Sequence, residues 1–217
     1  MSRKSQNTIE AIIFDLGGVL LNVDYHLTIE AFEKLGYQNF GDKFSQEQQE
    51  KLFDQFEKGE IAEQDFFQAL RDFLPDNFSE HAMRDAWNAM LLDFPEENLN
   101  FLKDVGRSYP VFLLSNTNET HLRAFNEILK KDLGCVSLSA FFNAVYYSHQ
   151  IGMRKPDPEV FRKVLGDNGL TAYKTLFIDD TSRHVEAAKS LGLQAYLKEP
   201  SESWNEVIER YDLKVSV

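Results

Sequence analysis

The chain has 217 residues, with 43% hydrophobic and 27% charged residues, which suits one large domain or a core carrying a smaller insertion. Lys and Arg number 23 against 35 Asp and Glu, a formal charge of −12, which argues against nucleic-acid and anionic-membrane partners. A small anionic substrate stays open, provided its site is made locally positive by a lysine, a helix N-terminus or a metal.

The first structured piece is an apolar run, Ala11 to Phe14, that stops at Asp15 and is followed by Gly17-Gly18. A buried parallel strand ending in a glycine turn has this form. From about Tyr25 to about Tyr109 the period becomes helical: Leu27, Ala31 and Leu35 share one face, then Leu52, Phe53 and Phe56, then Phe66, Phe67 and Leu70, then Met83, Trp87 and Met90. Gly36, Gly59, Pro75 and Pro95 punctuate these segments, so four or five helices and no strand are expected.

Beyond residue 110 the chain alternates. VFLLS (111–115), AVYYS (144–148), TLFID (175–179) and QAYLK (194–198) read as strands. Helices are expected at about 118–130, 158–165, 183–191 and 202–211, with Asp157 as an N-cap ahead of Pro158. Strands alternating with helices imply an α/β fold, a parallel sheet covered on both faces. The all-helical block then reads as an insertion, with a core domain at 1–22 and 100–217, a helical domain at 23–99, and hinges near 22–24 and 107–110.

In open parallel sheets ligands sit at the carboxyl ends of the strands. The groups expected there are Asp15, Ser115, Asn116, Asp179 and Asp180, with Lys155 on the segment after the third strand. Each type has work in phosphoryl transfer: a carboxylate as nucleophile, a lysine and hydrogen-bond donors for the phosphoryl oxygens, and further carboxylates to hold a hard cation such as magnesium. His26, His81, His121, His149 and His184 share no metal-ligand spacing, so no zinc site is expected.

Four segments, FDLGGVL, LLSN, GMRKPDPEVF and FIDD, in this order and spacing, resemble the four motifs of the haloacid dehalogenase superfamily, and the helical block resembles its inserted cap. The resemblance implies a Rossmann-like core and a magnesium-dependent phosphatase acting on a small phosphorylated metabolite, such as a sugar phosphate. It implies Asp15 as nucleophile and metal ligand, and a metal contact from the Gly17 backbone carbonyl. It further implies Ser115, Asn116 and Lys155 around the phosphoryl group and Asp179 and Asp180 at the metal, with Asp180 favoured as the direct ligand.

One departure stands out. Phosphatases of this kind carry an acidic proton donor two residues after the nucleophile, where this chain has Gly17. Either the leaving group departs without help, as an anomeric sugar oxygen does, or Asp24, His26 or another group of the helical block supplies the proton. The competing readings are a catalytically quiet binding protein and a metal-independent carbon–halogen hydrolase. Cys135 is the sole cysteine, which excludes an intrachain disulfide. With no apolar run long enough for a signal peptide or a membrane span, the cytoplasm is the expected setting.

Overall fold

A computed structural model describes residues 8–37, 40, 47–71, 79–199 and 202–215; Pro75, expected as a helix breaker, and the N-terminal residues 1–7 lie outside them. Five parallel strands form one sheet: β1 (Ala11–Phe14), β2 (Val111–Ser115), β3 (Ala144–Tyr147), β4 (Thr175–Asp179) and β5 (Gln194–Leu197), in the order β3-β2-β1-β4-β5. The order reverses direction at β1, so the strand ending in Asp15 sits at the point where a crevice opens.

Alternation along each strand builds two cores. Ile12, Phe14, Val111, Leu113, Leu176 and Ile178 enter one, and Ala11, Ile13, Phe112, Leu114 and Phe177 the other. The period of two follows from the pleat, which sends successive side chains to opposite faces. Helices α5 (Glu96–Gly106), α6 (Glu119–Leu133) and α10 (Trp204–Tyr211) cover the first face, and α8 (Pro158–Asp167) and α9 (Ser182–Ser190) the second. Between β3 and α8, Ser148–Ile151 form a single turn, α7, so the expected strand at 144–148 ends one residue early.

Between β1 and β2 lie α1 (Tyr25–Lys34), α2 (Glu47–Glu57), α3 (Glu63–Arg71) and α4 (Glu80–Asn88), which enclose a third core of Phe32, Tyr37, Phe40, Phe53, Phe56, Phe66, Phe67 and Trp87. Its rings stack: Phe32 on Phe40 at 4.3 Å, Phe56 on Phe66 at 4.1 Å. Thr28 and Phe32, rather than the expected Leu27, Ala31 and Leu35, are the most buried positions of α1. A stripe drawn from apolar residues alone misses Thr28, whose hydroxyl is satisfied by donating to the Trp87 carbonyl at 3.1 Å.

Helix α5 crosses the expected boundary at residue 99/100 yet packs on the sheet through Leu99, Phe101, Leu102 and Val105. The expected hinge at 107–110 therefore falls behind a core helix. The chain instead returns beside its point of departure: Asn22 N donates to Asp93 O (2.9 Å), Leu92 N to Asn22 O (3.0 Å) and Asp24 N to Met90 O (2.9 Å). Among the described residues no helix is long and apolar enough to cross a membrane.

Candidate active site

Asp15 follows β1, Ser115 closes β2 and Asp179 closes β4, so register alone brings three polar groups to one edge of the sheet. One carboxylate oxygen from each of Asp15, Asp179 and Asp180 lies within 4.8 Å of the others. Lys155, fully buried, reaches the same spot: its Nζ is 2.6 Å from Asp15 Oδ1 and 2.7 Å from Asp179 Oδ2.

The lysine is held from its backbone. Asn116 Oδ1 accepts from Lys155 N (2.8 Å) and Asn116 Nδ2 donates to Lys155 O (2.9 Å). Asn116, expected at the phosphoryl group, also lines the cavity, and its side chain positions Lys155. Ser115, expected at the phosphoryl group, lies on the cavity wall.

The two neighbouring aspartates are not equivalent. Asp179 is fully buried and accepts from Lys155, from Thr181 N (2.7 Å) and from His184 Nδ1 (3.1 Å). Burial opposes its charge, but Lys155 and His184 outweigh burial and bring its pKa down to about 2. Asp180 accepts from Thr181 Oγ1 (3.1 Å) and turns its other oxygen toward Gly18. Its pKa is raised, by burial and by Asp179.

Gly18 has φ +71°, and a Cβ there would lie 2.0 Å from Asp180 Oδ2. Both facts require glycine. Gly17 is different: its Cβ would meet nothing nearer than Val23 at 3.6 Å, so the turn does not depend on it.

Burial also pushes the Asp15 carboxyl up, to about 7, with Lys155 opposing and Asp179 and Asp180 reinforcing the rise. For Lys155 burial works to discharge the ammonium, but Asp15 and Asp179 win and its pKa stands above the ordinary lysine value. Three clustered carboxylates against one ammonium leave a surplus of negative charge in a low-dielectric place. A hard divalent cation fits the all-oxygen donor set that Asp15, Asp179 and Asp180 offer.

The crevice above is a cavity of about 900 Å³. Its floor comes from the sheet edge; its roof comes from Asp54, Glu57 and Lys58 at the end of α2 and from Trp87. Arg154, beside Lys155, joins the two, with Nη1 3.0 Å from Asp54 Oδ1 and Nη2 2.9 Å from Glu57 Oε2. Behind them Trp87 stacks on His121 at 5.1 Å. Asn118 Oδ1 caps α6 by accepting from His121 N, which turns the Asn118 amide nitrogen toward His121 Nδ1 (3.2 Å); Nε2–H then donates to the Trp87 carbonyl (3.2 Å). Burial drops the His121 pKa to about 4, in keeping with this neutral tautomer.

Sequence reasoning did not single out Arg154 or Glu57, and weighed His121 and His184 only as zinc ligands. His184, in the first turn after the Asp179-Asp180 pair, was the one with a local signal. Asp24 and His26, expected as proton donors, are elsewhere: Asp24 Oδ1 caps α1 by accepting from His26 N (2.9 Å), His26 is exposed, and neither lines the cavity.

A doubly wound sheet with an aspartate at its switch point, a buried lysine and an acidic pair at the neighbouring strand end defines a hydrolase class. The sequence profile of the haloacid dehalogenase-like hydrolases matches residues 9–192: this chain belongs to that family, and within it to the phosphatases. It is 28% identical over 198 residues to a D-ribitol-5-phosphate phosphatase of Bacteroides thetaiotaomicron, covering 91% of this chain and 96% of the relative. It is 25% identical over 191 residues to a phosphorylated carbohydrates phosphatase of Thermotoga maritima, covering 86% and 83%. A solved family enzyme from B. thetaiotaomicron, in complex with magnesium and inorganic phosphate, superposes with a TM-score of 0.81 at 34% identity, covering 92% of this chain and 98% of that one. The readings as a carbon–halogen hydrolase and as a quiet binding protein are set aside.

Proposed function

We propose that this chain hydrolyses a small sugar or polyol phosphate, with Asp15 as nucleophile, Lys155 and Ser115 around the phosphoryl group, and magnesium held by Asp15, Asp180 and the Gly17 carbonyl. The observation that carries the reading is the convergence of the Asp15, Asp179 and Asp180 carboxylates within 4.8 Å, with Lys155 Nζ inside hydrogen-bonding reach of two of them. The relatives that act on ribitol 5-phosphate and on phosphorylated carbohydrates support the substrate class.

Asp15 Oδ attacks phosphorus as the ester bond breaks, giving an alcohol and an aspartyl-phosphate; water then releases inorganic phosphate and restores the carboxylate. Lys155 offsets charge on Asp15 and on the phosphoryl oxygens, and its two carboxylate partners keep it from swinging away. Asp179 serves mainly by fixing Lys155, which leaves Asp180 as the direct metal ligand. When bound, magnesium supplies the positive charge that keeps Asp15 ionised at neutral pH and draws charge from the phosphoryl oxygens.

Residues from about 24 to 90 act as a cap, pivoting on the paired segments at 22–24 and 90–93 and shutting water from the crevice. The reading is checked by assaying polyol and sugar phosphates with magnesium, with excess chelator, and with Asp15→Asn. Chelation should abolish turnover, and the variant should lose about 10³-fold or more in kcat while keeping the parent's circular dichroism. An Asp15→Asn enzyme as fast as the parent, or a rate indifferent to chelator, ends the proposal.

A further inference from the structure

Expelling an alkoxide from a sugar or polyol phosphate calls for a proton at the departing oxygen, and position 17 offers none. A carbon alcohol is a poor leaving group, so an acid placed in the crevice is worth about 10²–10⁴ in rate. Several ionisable groups line the cavity; Tyr25 is one, but burial and the nearby Asp15 and Asp180 carboxylates push its phenol up, so it yields a proton reluctantly. Asp54 is tied to Lys58 (2.6 Å) and Arg154, which hold its carboxyl ionised below the usual range despite the cost of burial. Both ring nitrogens of His121 are engaged, one by Asn118 and one by the Trp87 carbonyl. Lys155 is locked between two carboxylates.

We infer that Glu57, on the roof of the crevice, is the general acid that protonates the leaving oxygen. This rests on the reading of Asp15 as nucleophile. Three features of the structure support it. Glu57 is the last residue of α2, where the negative end of the helix dipole disfavours a carboxylate. Its Oε2 is shielded from solvent and pairs with Arg154 Nη2 at 2.9 Å without hydrogen-bonding alignment, so the guanidinium steers the carboxyl while no hydrogen bond occupies that oxygen. The chain directly after it is pressed on the core: Gly59 has φ +68°, and a Cβ there would come 2.2 Å from the His149 carbonyl. Only glycine lets the end of α2 approach so closely, and that approach sets Glu57 over the sheet edge.

Burial raises the Glu57 pKa, with Arg154, Arg183 and Lys155 opposing and Asp54 reinforcing, so the group keeps its proton further toward neutrality than an ordinary glutamate. The cycle balances. As the Asp15–phosphorus bond forms and the ester bond breaks, the Glu57 proton passes to the leaving oxygen, giving the free alcohol. The Glu57 carboxylate then takes a proton from the water that attacks the aspartyl-phosphate, which returns both residues to their starting states. Arg154 acts through Glu57 as a positioning residue.

The test compares Glu57→Gln with the parent, both loaded with magnesium, on ribitol 5-phosphate and on p-nitrophenyl phosphate, whose leaving group departs unprotonated. The quantity read is kcat/KM, which reports the step that expels the leaving group. The ratio of kcat/KM for ribitol 5-phosphate to that for p-nitrophenyl phosphate should fall about 100-fold in Glu57→Gln. The high-pH limb of the parent's kcat/KM profile on the alkyl ester should vanish as well. An equal loss on both esters, or a loss confined to KM for the polyol, assigns Glu57 to packing or hydroxyl recognition and overturns the inference; so does an unchanged ratio. If Glu57→Gln fails to fold, Glu57→Asp replaces it and must retain the alkyl-ester limb with a shifted midpoint; a limb that stays at the parent's position overturns the inference. A parent that cleaves neither ester overturns the proposed polyol-phosphate reading on which this inference rests, a different failure.

Discussion

The sheet edge and the helical block hold their polar groups by opposite means. At the sheet edge, residues as distant in sequence as Asp15, Ser115, Lys155 and Asp179 meet because four parallel strands end in register. Lys155 there is buried between Asp15 and Asp179 and offsets part of their charge. In the helical block the core is a stack of rings, and the charged groups that face the crevice come from one helix and its end, at Lys51, Asp54, Glu57 and Lys58. Strand register holds side chains tightly in place, whereas a helix end can be reshaped by a few substitutions. On the proposed reading, the chemistry belongs on the first and substrate choice on the second.

That contrast breaks first at Lys155. Lys155→Met removes the ammonium and leaves Asp15 and Asp179 buried with no partner charge, which should cost about 3–5 kcal/mol. Urea unfolding measures it; a variant as stable as the parent would show that the edge does not rely on charge compensation. Combining it with Asp15→Asn should recover part of the loss, since the pair is coupled.

A smaller effect sharpens the joint between the two regions. The folded His121 pKa, about 4, lies below the ordinary 6.5, so between those values the unfolded chain binds more protons. Stability contributed by neutral His121 is complete above pH 6.5 and declines as the pH falls toward 4. Relative to His121→Gln, the parent should lose ~2 kcal/mol between pH 7.5 and 5, read from urea midpoints at each pH. Parallel pH curves for the two proteins would count against this account of the Trp87–His121 contact.

The smallest effect separates two adjacent glycines. Gly18→Ala should cost about 1–2 kcal/mol from its positive φ alone, and should weaken magnesium binding by crowding Asp180. Gly17→Ala should stay within about 0.5 kcal/mol of the parent. Thermal melting and calorimetric titration with magnesium distinguish them; equal costs would mean that the turn, not Asp180, governs both.

Much of the sheet region is legible in the sequence because its signals are local. Apolar runs of three or four residues, each stopped by a polar residue, mark β1, β2 and β4, and the polar stops are themselves the site. The double use of Asn116 was not legible: a side chain that clamps the Lys155 peptide looks, in one dimension, like one that faces a ligand. Glu57 and Arg154 carry no local signal, since their meaning arises only when the end of α2 comes down on the loop after β3. The position of α5 was misjudged for a related reason. Its helical period matches its predecessors, and only packing shows that it belongs to the sheet.

The bond from Asn22 N to Asp93 O has a topological consequence. It joins the two ends of a detour of about 70 residues, and the entropy of closing such a loop grows only with the logarithm of its length. To the strands on either side, the entire detour behaves as a hairpin tip. Lengthening, trimming or exchanging it leaves the path from β1 to β2 nearly as easy to complete, so natural variation has wide freedom to rebuild the roof without disturbing the floor.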